Sequence, residues 1–216
     1  MAPPLPLPQD AAVGQLTQWL TEWSLLYPFG GDGLIRPVVR PRGGCLTPGE
    51  LKIVMEWKIG DRFKQAAFDQ IDAYEAANAG EISGKTALAM VATTDAQALQ
   101  ELRGLPQMKT RFVAAVGSAI LMCLDPERWT VMDVNANAAL VCLRDTLRSQ
   151  AGNPNSPLHD LAVELSTFTP RRTTNGYEAR TVDWPTYMSI CRTIARTTML
   201  SLRTVDRALQ QARTWC

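Results

Sequence analysis

Apolar residues recur every three or four positions along almost the whole of this 216-residue chain, and no stretch alternates residue by residue as a half-buried strand does. That period confines the chain to packed helices. In "DAAVGQLTQWLTEWSLLY", Val13, Leu16, Trp19, Leu20, Trp23 and Leu26 form one stripe, with Asp10 as the expected N-cap. "PFGGDGLIRPVVRPRGG" then carries too much Gly and Pro to stay helical. "TPGELKIVMEWK" restarts with Thr47 as N-cap, Pro48 in the first helical position and Glu50 three residues after the cap, a capping box. Leu51, Val54, Met55 and Lys58 share its face.

Further helices are expected over 63–79, 84–92, 95–103, 110–124, 134–149, 157–166, 184–196 and 201–212. "QAGNPNSPLHD" and "TFTPRRTTNGYEARTVDWP" read as the longest irregular stretches. The expected fold is all-α, a bundle of about nine or ten helices. Residues 1–10 form a flexible Pro-rich lead-in and residues 11–216 one domain, with a central region over about 95–149 and C-terminal helices over about 184–212. A chain of this size buries an ordinary core without disulfides or metals.

Composition removes several function classes. The longest apolar run, Val113 to Leu124, is far shorter than the ~20 residues that cross a bilayer, and "MAPPLPLPQD" lacks the basic and apolar regions of a secretory leader. No membrane association is expected, and the location is read as cytoplasmic, associated with the nucleoid. Five widely spaced cysteines without a CxxC pair argue against a disulfide framework or a zinc or iron–sulfur site, and most read as reduced core residues. The lone histidine, His159, reads as a surface loop residue. No metal or other cofactor is expected.

The net charge of +1 hides a gradient. Eight arginines face three acids over residues 171–216, while seven acids face three basic residues over 60–101. Such asymmetry suits one phosphate-facing side, and equally a set of solvated, arginine-rich helix faces.

The residue that raises a chemical question is Asp133 in "DPERWTVMDVNANAAL", a carboxylate at the start of an apolar helix. As N-cap of a helix beginning at Val134 it is a fixed anion, held by amide donors and the positive helix end. Such an anion can stabilise an oxocarbenium-like sugar and orient water, as cleavage of an N-glycosidic bond requires. It can also simply cap a helix.

The order of Leu102-Arg103-Gly104-Leu105-Pro106, the apolar helix Ala115–Met122 and Val131-Met132-Asp133-Val134 resembles the helix–hairpin–helix DNA glycosylase superfamily. Glu56-Trp57-Lys58, Ile120-Leu121-Met122 with Asp125-Pro126-Glu127-Arg128-Trp129, and Cys191-Arg192 with Ser201–Leu209 are closer still to a little-described bacterial branch of it. The resemblance covers roughly residues 47–140 and 184–212. It implies a glycosylase-like bundle with a cleft between two helical lobes, in which Asp133 is catalytic.

The resemblance also implies a glycine hairpin that offers backbone amides to phosphates and a pocket that accepts a base turned out of the stack. The second hairpin glycine is absent, Pro106 stands near its place and "QMKTRF" is inserted, so Lys109 and Arg111 are candidates for phosphate contact beside Gly104. Members with lyase activity carry a lysine eighteen residues before the Asp; here that position is Ala115, which favours hydrolysis by water. The four-cysteine cluster loop of some relatives is missing.

On the same footing Glu56 is a possible second acid. Trp57 and Asn135 are base-pocket candidates, with core packing and helix-start filler as their plainer roles. Lys58, Arg203 and Arg207 are candidates for DNA contact, although Arg203 and Arg207 can instead pair with Asp206. The implied activity is that of a monofunctional DNA glycosylase, a monomer acting on double-stranded DNA with a modified or damaged base, in repair or against hypermodified phage DNA. A non-catalytic DNA-binding helix–hairpin–helix protein and a structural helical partner protein are the alternatives.

Overall fold

A computed structural model describes residues 7–28, 32–40, 44–108, 113–174 and 176–212. In chain order its helices are α1 (Val13–Leu25), α2 (Pro48–Ile59), α3 (Asp61–Ala77), α4 (Glu81–Val91), α5 (Asp95–Glu101), α6 (Val113–Leu124), α7 (Val134–Thr146), α8 (His159–Ser166), α9 (Trp184–Thr198) and α10 (Leu202–Gln211). Short 3-10 turns cover Arg148–Gly152 and Thr181–Asp183. The protein is mostly helical, and each helix expected from the apolar period is present.

One element escapes that period. Strands β1 (Arg172–Thr173) and β2 (Gly176–Tyr177) pair antiparallel, Arg172 opposite Tyr177 and Thr173 opposite Gly176. Two residues per strand carry no alternation to read. Gly176, at φ 109°, supplies a backbone conformation that L side chains rarely adopt.

The chain divides into two compact units, Phe29–Val131 and the pair of segments Met1–Pro28 and Met132–Cys216. In the first, α2, α4 and α5 pack on α6 and α3 packs on α2. Helix α6 is apolar all round, and every residue in it except Ala115 is buried, as a helix enclosed by neighbours must be. Gly117 permits this enclosure: a Cβ there would lie 2.3 Å from Leu99 Cδ1 and 2.8 Å from Met108 Cε. Gly117→Val is expected to lower stability by about 2 kcal/mol through overpacking, read as a shift in the urea midpoint. An unchanged midpoint would mean that Leu99 and Met108 simply swing aside.

The capping box at α2 forms as the sequence requires. Thr47 N donates to Glu50 Oε2 at 2.8 Å and Glu50 N to Thr47 Oγ1 at 3.3 Å. Burial pushes the Glu50 carboxyl up, but the Thr47 amide and hydroxyl together with Arg40 outweigh it and leave the group below its ordinary value.

The segment "DPERW" is a second brace. Asp125 Oδ1 accepts from the amides of Glu127 (3.1 Å) and Arg128 (3.2 Å), closing the turn after α6. Arg128 reaches back to the end of α4, where its guanidinium donates to Met90 O at 3.0 Å and to Ala92 O, and it stacks on the Trp129 ring at 4.2 Å. A cation on orphan carbonyls is favourable at a helix C-terminus. Trp129 is fully buried, and its Nε1 donates to Asp95 Oδ1 at 3.1 Å in the first turn of α5. Arg128→Ala is expected to cost about 2 kcal/mol, since charged hydrogen bonds to two carbonyls are lost; thermal unfolding checks this, and a cost below a few tenths would refute the brace.

In the other unit α10 packs against α1, α7 and α9. The predicted stripe on α1 is buried at Leu16, Trp19, Leu20 and Trp23, while Val13 and Leu26 are half-buried. Asp10 is not its N-cap. That place belongs to Ala12, whose amide donates to Gln15 Oε1 at 2.8 Å, because the helix starts three residues later than Asp10. Residues 7–10 of the expected lead-in are docked: Leu7 is buried, and Gln9 O and Ala11 O accept from Gln150 Nε2 at 2.9 and 3.2 Å. His159 is the half-buried first residue of α8 and not a loop residue, its Nδ1 lying 3.4 Å from Gln150 O.

Trp184 stacks on Tyr187 at 6.0 Å, and Phe168 lies 6.3 Å from the same tyrosine. Cys191 is buried beside them in α9, and burial pushes its thiol up to about 12, which leaves it inert near neutral pH. Cys142 is disulfide-bonded, an exception to the expectation of reduced cysteines; Cys45, Cys123 and Cys191 are thiols. No helix among the described residues is long and apolar enough to cross a membrane.

Candidate active site

Asp133 is the N-cap of α7, in extended conformation at φ −145° and ψ −179°. Its Oδ1 accepts from Asn135 N at 2.9 Å and from Ala136 N at 3.0 Å. Val131 and Met132 before it are fully buried, as is Ala136 after it, so the backbone on both sides is anchored in apolar packing. The carboxylate itself is half-buried. An oriented anion, fixed by two amides and not sealed in the core, is the arrangement that chemistry at this position needs. Asn135 lies in the same first turn and is also half-buried.

One turn further on, Asn137 occupies the position four residues from Asp133, where helix geometry brings side chains near one another. It is fully buried. Its Nδ2 donates to Glu178 O at 3.0 Å, which ties α7 to the residue after β2. Glu178 N donates to Arg171 O at 2.9 Å, and the Glu178 carboxylate lies 3.6 Å from the Arg171 guanidinium. Neither Asn137 nor Glu178 stood out in the sequence. The polar spacing Asp133, Asn135, Asn137 was the only available signal, and the contact with Glu178 spans 41 positions.

Arg203 and Arg207 lie on α10. Arg203 pairs with the fully buried carboxylate of Asp206, and both guanidiniums lie over the Tyr27 ring, at 5.5 and 5.9 Å. The Arg203 side chain is 15% exposed, so its first role is to neutralise Asp206. The other two acids of the arginine-rich stretch are also paired. Arg180 grips Asp183 with two bonds of 2.7 Å, and the Asp183 hydrogen bond raises the Arg180 pKa, while Arg171 faces Glu178. Arg213 lies outside the described residues.

The remaining candidates belong to the other unit. Glu56, Trp57 and Lys58 are consecutive on α2 and all half-buried, so Trp57 is not a fully enclosed core residue. Glu56 accepts from Lys64 at 2.9 Å, and Lys64 also binds Asp61 at 2.8 Å. Those two carboxylates, Asp61 first, raise the Lys64 pKa. Gly60, at φ 70°, turns the chain so that α3 returns this lysine to Glu56.

Gly104 is exposed at φ 87° in the turn after α5, which leads through Leu105, Pro106 and Met108 towards α6. Gln107 also has a positive φ, 65°. Lys109 and Arg111 lie outside the described residues. Ala115, the half-buried residue of α6, carries no amine.

Among the described residues no group of three His, Cys, Asp or Glu side chains is arranged to hold a metal ion. The chain matches no protein-family model, and no curated protein and no solved structure shows significant similarity to it.

Proposed function

We propose that this protein is a monofunctional DNA glycosylase of the helix–hairpin–helix kind, acting on double-stranded DNA that carries a modified or damaged base. The observation that carries this reading is the Asp133 carboxylate, held by two backbone amides at the start of α7 and half-buried. In the proposed reaction the base is turned out of the duplex and its bond to C1′ breaks, the electron pair leaving with the base. Asp133 stabilises the cationic sugar and orients water. Water then adds to C1′, its proton passes to the carboxylate, and the departing base gains a proton. Free base and an abasic site remain.

Three further features support the reading. The order of α5, a turn with a left-handed exposed glycine, and α6 suits a hairpin that would offer amides to a phosphate. The side chain eighteen residues before Asp133 is the methyl of Ala115, which cannot form a Schiff base. Residues 171–216 carry eight arginines against three acids, an excess of the sign that suits a polyanion. Glu56 is a weaker second acid, because Lys64 already holds it.

The test is a strand-break assay at abasic sites on duplexes carrying alkylated, oxidised and bulky phage-type bases. The expected result is base release on at least one substrate, with no covalent adduct trapped by borohydride. Trapping would replace hydrolysis by lyase chemistry. Salt-sensitive binding without release from any substrate would select the non-catalytic DNA-binding alternative.

A further inference from the structure

A cleft of about 260 Å³ is lined by Arg144 and Asp145 from the last turn of α7, Arg148 and Ala151 from the 3-10 turn that follows, and Ala162 and Ser166 from α8. Sites for whole small molecules run to about 300–1,000 Å³, so this one suits an ion with part of whatever carries it. Its lining sets two guanidiniums against one carboxylate.

The two arginines are held differently. Arg144 is anchored, because its Nη1 donates to Phe168 O at 2.9 Å while its Nε and Nη2 both meet Asp145 Oδ1 at 2.9 Å. The edge formed by Nε and Nη2 is the one that grips a carboxylate or a phosphate. Asp145 occupies it lightly: the Asp145 side chain is 60% exposed, and so open an ion pair contributes little. Arg148 is exposed, and among the described residues it has no hydrogen-bond or ion-pair partner.

We propose that this cleft binds one phosphate group, which displaces Asp145 from the Nε and Nη2 edge of Arg144 and takes a second contact from Arg148. A tetrahedral anion presents oxygens in several directions and so can face two guanidiniums carried by different elements, whereas a carboxylate presents one flat edge. The ends of α7 and α8 oppose an anion here, each with about half a negative charge. Once Asp145 swings out, the two arginines outweigh both. The Ser166 hydroxyl spends its proton on Val163 O at 2.6 Å and is not needed as a donor. The site lies in the unit that carries Asp133, yet a chain that releases no base can still hold a phosphate in it.

The test is NMR of the arginine side chains of the full chain, titrated with inorganic phosphate and, separately, with sodium chloride of equal ionic strength. Phosphate is expected to shift the Arg144 and Arg148 signals to saturation, and chloride is not. Asp145→Asn is expected to tighten phosphate binding about fivefold, because an exposed competitor is removed. Arg148→Gln should weaken it at least about tenfold, the loss that goes with charged hydrogen bonds, at an unchanged unfolding midpoint. Arg172→Gln, at an exposed arginine of β1, is the control for charge in general and should change nothing. No saturable shift, no gain with Asp145→Asn, or an equal loss with Arg172→Gln overturns the proposal. A second titration with an unmodified duplex identifies the source of the phosphate. Displacement of bound phosphate by the duplex assigns the cleft to the DNA backbone, and unchanged Arg144 and Arg148 signals assign it to free phosphate or a phosphomonoester.

Discussion

Asp133→Asn is expected to lower the rate of base release by about a hundredfold to ten-thousandfold, the range for losing one oriented charge or proton acceptor at a reacting centre. Stability should barely change. Asparagine caps helices about as well as aspartate, and its amide oxygen can accept from Asn135 N and Ala136 N in place of Oδ1. What asparagine lacks is the negative charge that a cationic sugar needs. Single-turnover kinetics beside thermal unfolding would show the separation: a large loss of rate at an unchanged midpoint. If the rate and the fold fall together, Asp133 is a structural cap and its chemistry is unproven.

Asp206→Ala is expected to destabilise the protein by about 3–5 kcal/mol, the cost of breaking a buried ion pair by removing one partner. Asp206 is fully buried, pairs with Arg203 and lies 3.5 Å from Gln210 Nε2. The variant leaves a guanidinium that is 15% exposed without its carboxylate. Against a typical domain stability of about 5–15 kcal/mol this is a large fraction. The double variant Arg203→Met/Asp206→Leu should recover most of the loss, because apolar replacement of the whole pair removes both desolvation costs. Urea denaturation checks both. A single variant as stable as wild type would show that α10, despite its packing against α1 and α7, does not depend on the pair.

The helices were legible because their signals are local. The capping residues Thr47, Asp133 and Ser201 stand immediately before the turns they cap, and each accepts from an amide two or three residues on. Interactions across long separations were not legible. Arg128 reads as part of a motif, and its work on Met90 O and Ala92 O spans at least 36 positions. Glu56 reads as a candidate acid because its partner Lys64 lies beyond a helix break, which Gly60 turns back.

The candidate site was legible in one half. Asp133 and Asn135 follow from the helix start, whereas Glu178 sits beside α7 through a hairpin whose strands are too short to announce themselves. Lys109 and Arg111, the phosphate contacts suggested by the inserted "QMKTRF", fall among residues outside the description.

The most direct test of the central claim is mass spectrometry of the bases set free when the protein is incubated with several bacterial and bacteriophage DNAs. Wild type is predicted to release one modified base and to leave an equal number of abasic sites, and Asp133→Asn to release almost none. No release from any of these DNAs, or equal release by both proteins, would contradict the assignment of Asp133 as the catalytic anion.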